Sequence, residues 1–348
     1  MTDEERLVTG SLRRDDRENI ALRPKELHTM IGQDNLRDRL SIILEAARMR
    51  SEPIDHLLFH GPPGLGKTSL AHVIANEMGA NIRITAGPSI ERAGDLAAIL
   101  THMKKGDILF IDEVHRLGKA VGEILYPAME DFVLDIVVGK GPAAKNVRLN
   151  LPRFTVIGAT TELSLIAGPL RDRFGENFSL EYYTPDAMKI ILVRAAGMLK
   201  IEIDDEGASE MAHRARGTPR IGLRLLRRVR DYAQARADGI ITKTVTQDAL
   251  SLMKIDERGL DETDRRILRT IIEKFDGGPV GVETISAASS EDSSTIQSVY
   301  EPYLIQQGFL KLTKQGRIAM PAAYDHLGIP IKGIRIPPAP PPQQQDLF

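Results

Sequence analysis

The 348-residue chain contains no cysteine and no tryptophan, and only 5% of it is aromatic. Without thiols it can form no disulfide, thiolate metal site or cysteine nucleophile, which fits a reducing compartment, and a cytoplasmic location is expected. It has no apolar run near the ~18 residues that a spanning helix needs, and its first residues are charged rather than signal-like, so no membrane role is expected. An excess of either charge is missing too: 46 Lys and Arg stand against 48 Asp and Glu, a net of −2. Such a chain does not hold nucleic acid by bulk charge, and any DNA contact must come from local patches. What is present is apolar residue, 42% of the chain, enough to bury real cores and to exclude a mostly disordered protein. The length calls for two or three domains.

Residues 1–20 are crowded with charge and read as a mobile arm. From 21 to 183, short apolar runs at 56–60, 81–85, 107–111, 154–158 and 177–181 alternate with helical periodicity. That alternation predicts an α/β domain with a mainly parallel sheet covered on both faces. Thr184-Pro185-Asp186 carries a helix-start signal, and 184–257 then reads as a small helical domain. Residues 258–332 read helix, helix, helix, hairpin (264–274, 281–288, 292–307, then 309–312 with 317–320), the order of a winged helix. The Pro- and Gln-rich tail, 333–348, cannot pack a core.

Gly61-Pro62-Pro63-Gly64-Leu65-Gly66-Lys67-Thr68 matches the phosphate-loop pattern in full, with an apolar strand before it and a helix from Ser69 after it. Glycines let the backbone wrap its N–H groups around a phosphate, and the helix N-terminus adds positive potential. Lys67 is placed to neutralise β/γ charge, and the Thr68 hydroxyl to bind Mg²⁺. Some forty residues on, the apolar run 108–111 ends in Asp112 and Glu113. Two acids at a strand end can be a solvated turn. Beside a phosphate loop they read as a magnesium ligand, Asp112, and the base that orients and deprotonates water, Glu113. The expected cofactors are ATP and Mg²⁺, and Glu113 makes the chain a candidate hydrolase.

Together with that loop, Asp112-Glu113-Val114-His115-Arg116-Leu117, Gly158-Ala159-Thr160-Thr161, residues 169–175 (Pro-Leu-Arg-Asp-Arg-Phe-Gly) and Gly217-Thr218-Pro219-Arg220 resemble the RuvB family. These are AAA+ motors that drive Holliday-junction branch migration. The resemblance implies an AAA+ P-loop domain, a helical lid and a C-terminal winged helix, assembled as a homohexameric ring. It implies that Thr160 or Thr161 senses the γ-phosphate, that Arg173 (with Arg171 as second candidate) is a finger reaching the neighbouring subunit's site, and that Arg220 is a second sensor in the lid. Adenine contacts are implied for Arg23, Met30, Ile31, Tyr183 and Pro185. Holliday-junction DNA, a RuvA-like junction-binding protein and a RuvC-like resolvase are the implied partners. Two departures stand out: Glu162 follows the threonine pair where Arg is expected, and the usual Arg-rich wing is reduced to Lys311, Lys314 and Arg317, the candidate DNA contacts.

Leu134, Ile136 and Val138 alternate, Gly139-Lys140-Gly141-Pro142 turns, and Val147, Leu149 and Leu151 alternate again, so a β-hairpin is expected. Its apolar face is either a partner site or packed back on its own domain; the resemblance implies that the RuvA-like partner docks there. Residues 260–336 hold nine Lys and Arg against ten Asp and Glu, so DNA contacts from one copy should be few and salt-sensitive. Arg224, Arg227, Arg228 and Arg230 read as the solvated face of a lid helix. Gln344 to Phe348 resembles a short peptide that binds the replication sliding clamp, with a plain extended tail as the competing reading. The rival functions are a clamp-loader-like or initiator-like assembly switch and a DNA-binding regulator with a vestigial ATPase.

Overall fold

The computed structural model of the protein describes residues 22–138 and 145–331. They fall into two units, one reaching to Ala249 and one from Leu250. The N-terminal arm, the turn at Gly139 to Pro142 and the clamp-like peptide therefore lie outside the described residues.

In the first unit, helix α1 (Asp34–Arg50) leads to β1 (Leu57–His60), α2 (Lys67–Met78), β2 (Ile82–Ala86), α3 (Ala93–Thr101), β3 (Ile108–Asp112) and α4 (Lys119–Glu130). The hairpin β4 (Val133–Val138) and β5 (Lys145–Asn150) follows, then β6 (Thr155–Thr160) and β7 (Glu176–Ser179). β1, β3 and β6 are buried along almost their whole length. Continuous apolar runs of that kind belong to strands covered on both faces. The sheet order is β2-β3-β6-β1-β7, and every pairing is parallel. One core layer packs α1 and α2 on Phe59, Phe110 and Phe178, and the other packs α3 and α4 on Leu58, Leu109 and Val156.

This order sets the site. The carboxyl ends of β1, β6 and β3 are neighbours, so the loop after β1, the threonines at the end of β6 and the acids at the end of β3 converge on one edge. Ligands of open α/β sheets bind at that edge. Gly158 in β6 is needed for the packing beneath: a Cβ there would lie 2.8 Å from the Phe174 ring and 3.1 Å from Leu58. Phe174 is thereby seated in the core one residue after Arg173.

The helical stretch after β7 comprises α5 (Pro185–Met198), α6 (Asp205–Arg214), α7 (Pro219–Arg236) and α8 (Lys243–Leu252). The Thr184 hydroxyl accepts from Ala187 N–H with Pro185 at the first helical position, as the sequence signal required. On α7, Arg224 and Arg228 are exposed while Leu225, Leu226 and Val229 are buried.

In the second unit, α9 (Glu262–Arg269) opens with a reciprocal cap in which Asp261 and Asp264 each accept the other's backbone N–H. Then come α10 (Val282–Ser289), a helical run over residues 293–306 ending in α11 (Glu301–Gln306), the hairpin β8 (Leu310–Thr313) with β9 (Gly316–Ala319), and α12 (Pro321–Leu327). This is the winged-helix order with one helix, α12, beyond the expected pattern. Its Tyr324 and Ala323 are buried with Ile267, Leu268 and Ile271. No helix among the described residues is long and apolar enough to cross a membrane.

Candidate nucleotide site

Three glycines of the loop from Gly61 to Gly66 hold backbone conformations that a side chain would resist. Gly61, Gly64 and Gly66 have φ of 136°, 81° and 104°. A Cβ on Gly61 would sit 2.5 Å from the Leu180 carbonyl, and one on Gly64 would sit 2.8 Å from Thr218 and 3.0 Å from Arg220. α2 begins immediately after, with no side-chain cap and no acid in its first turn. Its leading N–H groups and dipole therefore face the loop unneutralised, and these features fit a bound phosphate.

Lys67 is buried, 8% exposed. Its ammonium donates to the Gly61 carbonyl at 2.7 Å and the Pro62 carbonyl at 2.9 Å. Burial, reinforced by Arg220 and opposed by Asp112 and Glu113, brings its pKa from 10.5 down to about 8. A cation made costly by desolvation gains most from an arriving anion. Asp112 ends β3, and one of its oxygens accepts Glu113 N–H at 3.0 Å. Among the described residues no cluster of three His, Asp or Glu could hold a metal alone. The set that is present, Thr68 and Asp112, fits Mg²⁺ brought in on a nucleotide's phosphates.

Glu113 is a non-glycine residue at φ 50° and ψ 46°, and its carboxylate accepts from Arg116 at 3.0 Å. Thr160 is fully buried, its hydroxyl 2.9 Å from His115 Nδ1 and accepting Glu162 N–H at 2.9 Å. Thr161, next in the chain, is exposed. His115 and Arg116 belong to the motif that carries the resemblance, but no role for them is legible in the sequence, because their partners are fixed by the turn that follows β3.

The lid closes over the same edge. Arg220 N–H donates to the Gly64 carbonyl at 3.4 Å, and Tyr183 N–H to the Gly217 carbonyl at 2.9 Å. The Tyr183 hydroxyl donates to the Leu65 carbonyl at 3.3 Å, and a Cβ on Gly32 would meet the Tyr183 ring at 3.1 Å. Tyr183 thus joins the Met30–Ile31 segment, the phosphate loop and the lid. Met30 itself is buried, Arg23 and Ile31 are partly buried, and Pro185 is exposed.

Two expectations are corrected. Arg317 is not a free wing cation: its Nε and Nη2 donate to the two Glu301 oxygens at 2.6 and 3.1 Å, with side chains only 12% and 6% exposed. Lys311 and Lys314 remain exposed, while residues 293–306 carry no Lys or Arg at all. Leu134 is not a surface anchor but is fully buried in the core above α4, because the root of the hairpin lies on its own domain. Val147 and Leu149, 39% and 37% exposed, stay available; the side chains of Ile136 and Val138 lie outside the described set. Arg173 pairs with Glu130 at 2.8 Å, and Arg171 is exposed.

The chain matches, in order, the Holliday junction DNA helicase RuvB P-loop domain over residues 22–180, the RuvB AAA lid domain over 183–256 and the RuvB C-terminal winged helix domain over 257–328. It is 59% identical to the Holliday junction branch migration complex subunit RuvB of Chloroflexus aurantiacus over 347 residues, 99% of each chain. The solved structure of the Thermotoga maritima RuvB Holliday junction branch migration motor is 47% identical, with a TM-score of 0.81 over 90% of this chain and 100% of that one. A mutant form of the same protein is 48% identical, with a TM-score of 0.82 over 89% and 100% of the two chains. A loop that fits a triphosphate, a lid placed across it and three domain matches in sequence make this chain a member of the RuvB family.

Proposed function

We propose that this RuvB-family chain, an ATP-driven Holliday-junction branch-migration motor, works as a ring of six copies in which each ATP is cleaved between two subunits. Large domain, lid and winged helix are assigned to residues 21–183, 184–257 and 258–332. Bound ATP supplies the phosphate anhydride whose cleavage drives movement, and Mg²⁺ offsets its charge. Gly61 to Ser69 cradle the phosphates, Lys67 neutralises them, and Thr68 and Asp112 hold the metal. Glu113 takes the proton of the attacking water. Because the Thr160 hydroxyl is already committed to His115 and Glu162, Thr161 is assigned as the γ-phosphate sensor. Arg220 reports phosphate loss to the lid, and Arg173 serves the neighbour's site. Tyr183, with Met30, Ile31, Arg23 and Pro185 around it, borders the adenine.

The observation that carries this reading is the direct bond between lid and loop, Arg220 N–H to the Gly64 carbonyl. It sets a lid residue directly against the loop that would hold the phosphates. Val147 and Leu149 are proposed to receive a RuvA-like junction-binding partner, and Lys311 and Lys314 to touch duplex phosphates without reading sequence. The test is ATP-driven dissociation of a synthetic four-way junction, with and without that partner. Partner-stimulated dissociation that vanishes in Arg173→Ala is expected. ATP turnover without junction movement, partner present, would favour an assembly switch instead.

A further inference from the structure

The guanidinium of Arg173 is gripped within its own chain from three sides. Nη1 donates to the Pro169 carbonyl at 2.6 Å and Nη2 to the Glu130 carboxylate at 2.8 Å. Its Cζ stands 5.0 Å from the centroid of the Tyr126 ring, and its Nε is buried without a hydrogen-bond partner. Tyr126 and Glu130 lie four residues apart on α4 and so present ring and carboxylate on one face. Below, Phe174 fixes the backbone in the core against Gly158. The ring and the carboxylate that hold the head of this side chain, Tyr126 and Glu130, belong to no motif that the sequence singled out.

We propose that Tyr126 and Glu130 are positioning residues for Arg173: the ring aims the guanidinium, and the carboxylate competes for it with the phosphate of the neighbouring subunit's nucleotide. This rests on reading Arg173 as a finger acting in trans. A guanidinium paired with a carboxylate has less charge to offer a developing phosphoryl group than a released one. The pair is exchangeable because 61% of the Glu130 side chain is exposed, and an ion pair open to water is weak. The ring contact survives the exchange, since stacking on the face of Tyr126 leaves the N–H edge free to turn to a new acceptor. Glu130 is also the last residue of α4, with the hairpin opening at Val133.

The test is steady-state kinetics of the full-length protein with duplex DNA. Glu130→Gln keeps the size and removes the charge, so kcat should rise roughly two- to fivefold, the range of one exposed ion pair, with KM for ATP nearly constant. Tyr126→Leu should lower kcat roughly three- to tenfold, whereas Tyr126→Phe, which keeps the ring, should match wild type. Placed in an Arg173→Ala background, Glu130→Gln should change nothing, because its effect travels through the guanidinium. If Glu130→Gln leaves kcat unchanged or lowers it while Arg173→Ala abolishes turnover, the proposal is overturned and the finger reading stands. If Arg173→Ala turns over ATP like wild type, the finger reading itself falls. Should Glu130→Gln melt below wild type, Glu130→Asp, whose shorter arm withdraws from Arg173, makes the same comparison, and no rise in kcat there overturns the proposal equally.

Discussion

Lys67 gives the nucleotide site a proton signature. Without nucleotide its pKa lies at about 8, chiefly through burial, so it binds fewer protons than an ordinary lysine from about pH 7 upward. A triphosphate beside it favours the charged form and should return the pKa toward that of an ordinary lysine. The sign follows by linkage: the complex holds more protons than the free site, so binding takes protons up and weakens as pH rises. From a pKa near 8, uptake should be about 0.1 proton at pH 7, about 0.5 at pH 8 and about 0.9 at pH 9, and the dissociation constant should weaken roughly tenfold between pH 7 and 9. The assay is isothermal titration calorimetry of ATP–Mg²⁺ into the Glu113→Gln variant, which blocks turnover, in buffers of different ionisation enthalpy. The nucleotide's own phosphates are fully ionised above pH 8 and do not imitate this rise. Uptake that stays flat from pH 7 to 9, or that persists in Lys67→Arg, would refute the reasoning.

Two further outcomes test packing rather than chemistry. His56 is buried between Val156 N–H, which donates to its Nδ1 at 2.8 Å, and the Met129 carbonyl, 2.9 Å from Nε2, and burial lowers its pKa below 6.5. The folded state therefore binds fewer protons than the unfolded one, and the stabilisation, present in full above about pH 6.5, is lost as pH falls below it; the drop in Tm from pH 7.5 to 5 should be shallower in His56→Gln. Arg317→Ala, which strands the buried Glu301, should cost the winged helix about 3 kcal/mol in denaturant melts. Lys311→Ala and Lys314→Ala should leave stability within about 0.5 kcal/mol and each reduce the salt slope of DNA binding by about one.

Much of the frame was legible because burial on both faces leaves continuous apolar runs, and strands 56–60, 107–111 and 154–158 were found to within a residue or two. The phosphate loop and the acid pair were legible because phosphate chemistry restricts both residue type and spacing. What stayed hidden depends on contacts made across the fold. Arg317 reads as a wing cation until Glu301, sixteen residues earlier in the chain, is seen folded against it. Leu134 has the same alternating pattern as Leu149 opposite it, and only the hairpin's attachment to α4 buries one of them and not the other. The carboxylate paired with Arg173 and the imidazole beside Thr160 are distant in sequence, 43 and 45 residues away, and no local period announces them.

In the proposed ring, each ATP is cleaved by Glu113 of one subunit and Arg173 of the next. Mixing two inactive variants, Glu113→Gln and Arg173→Ala, tests this most directly. In a head-to-tail ring with random one-to-one mixing, about a quarter of the interfaces pair an intact Glu113 with an intact Arg173. The mixture should therefore regain up to about a quarter of wild-type turnover, measured as phosphate release. A mixture as inactive as either protein alone would contradict a site shared between subunits.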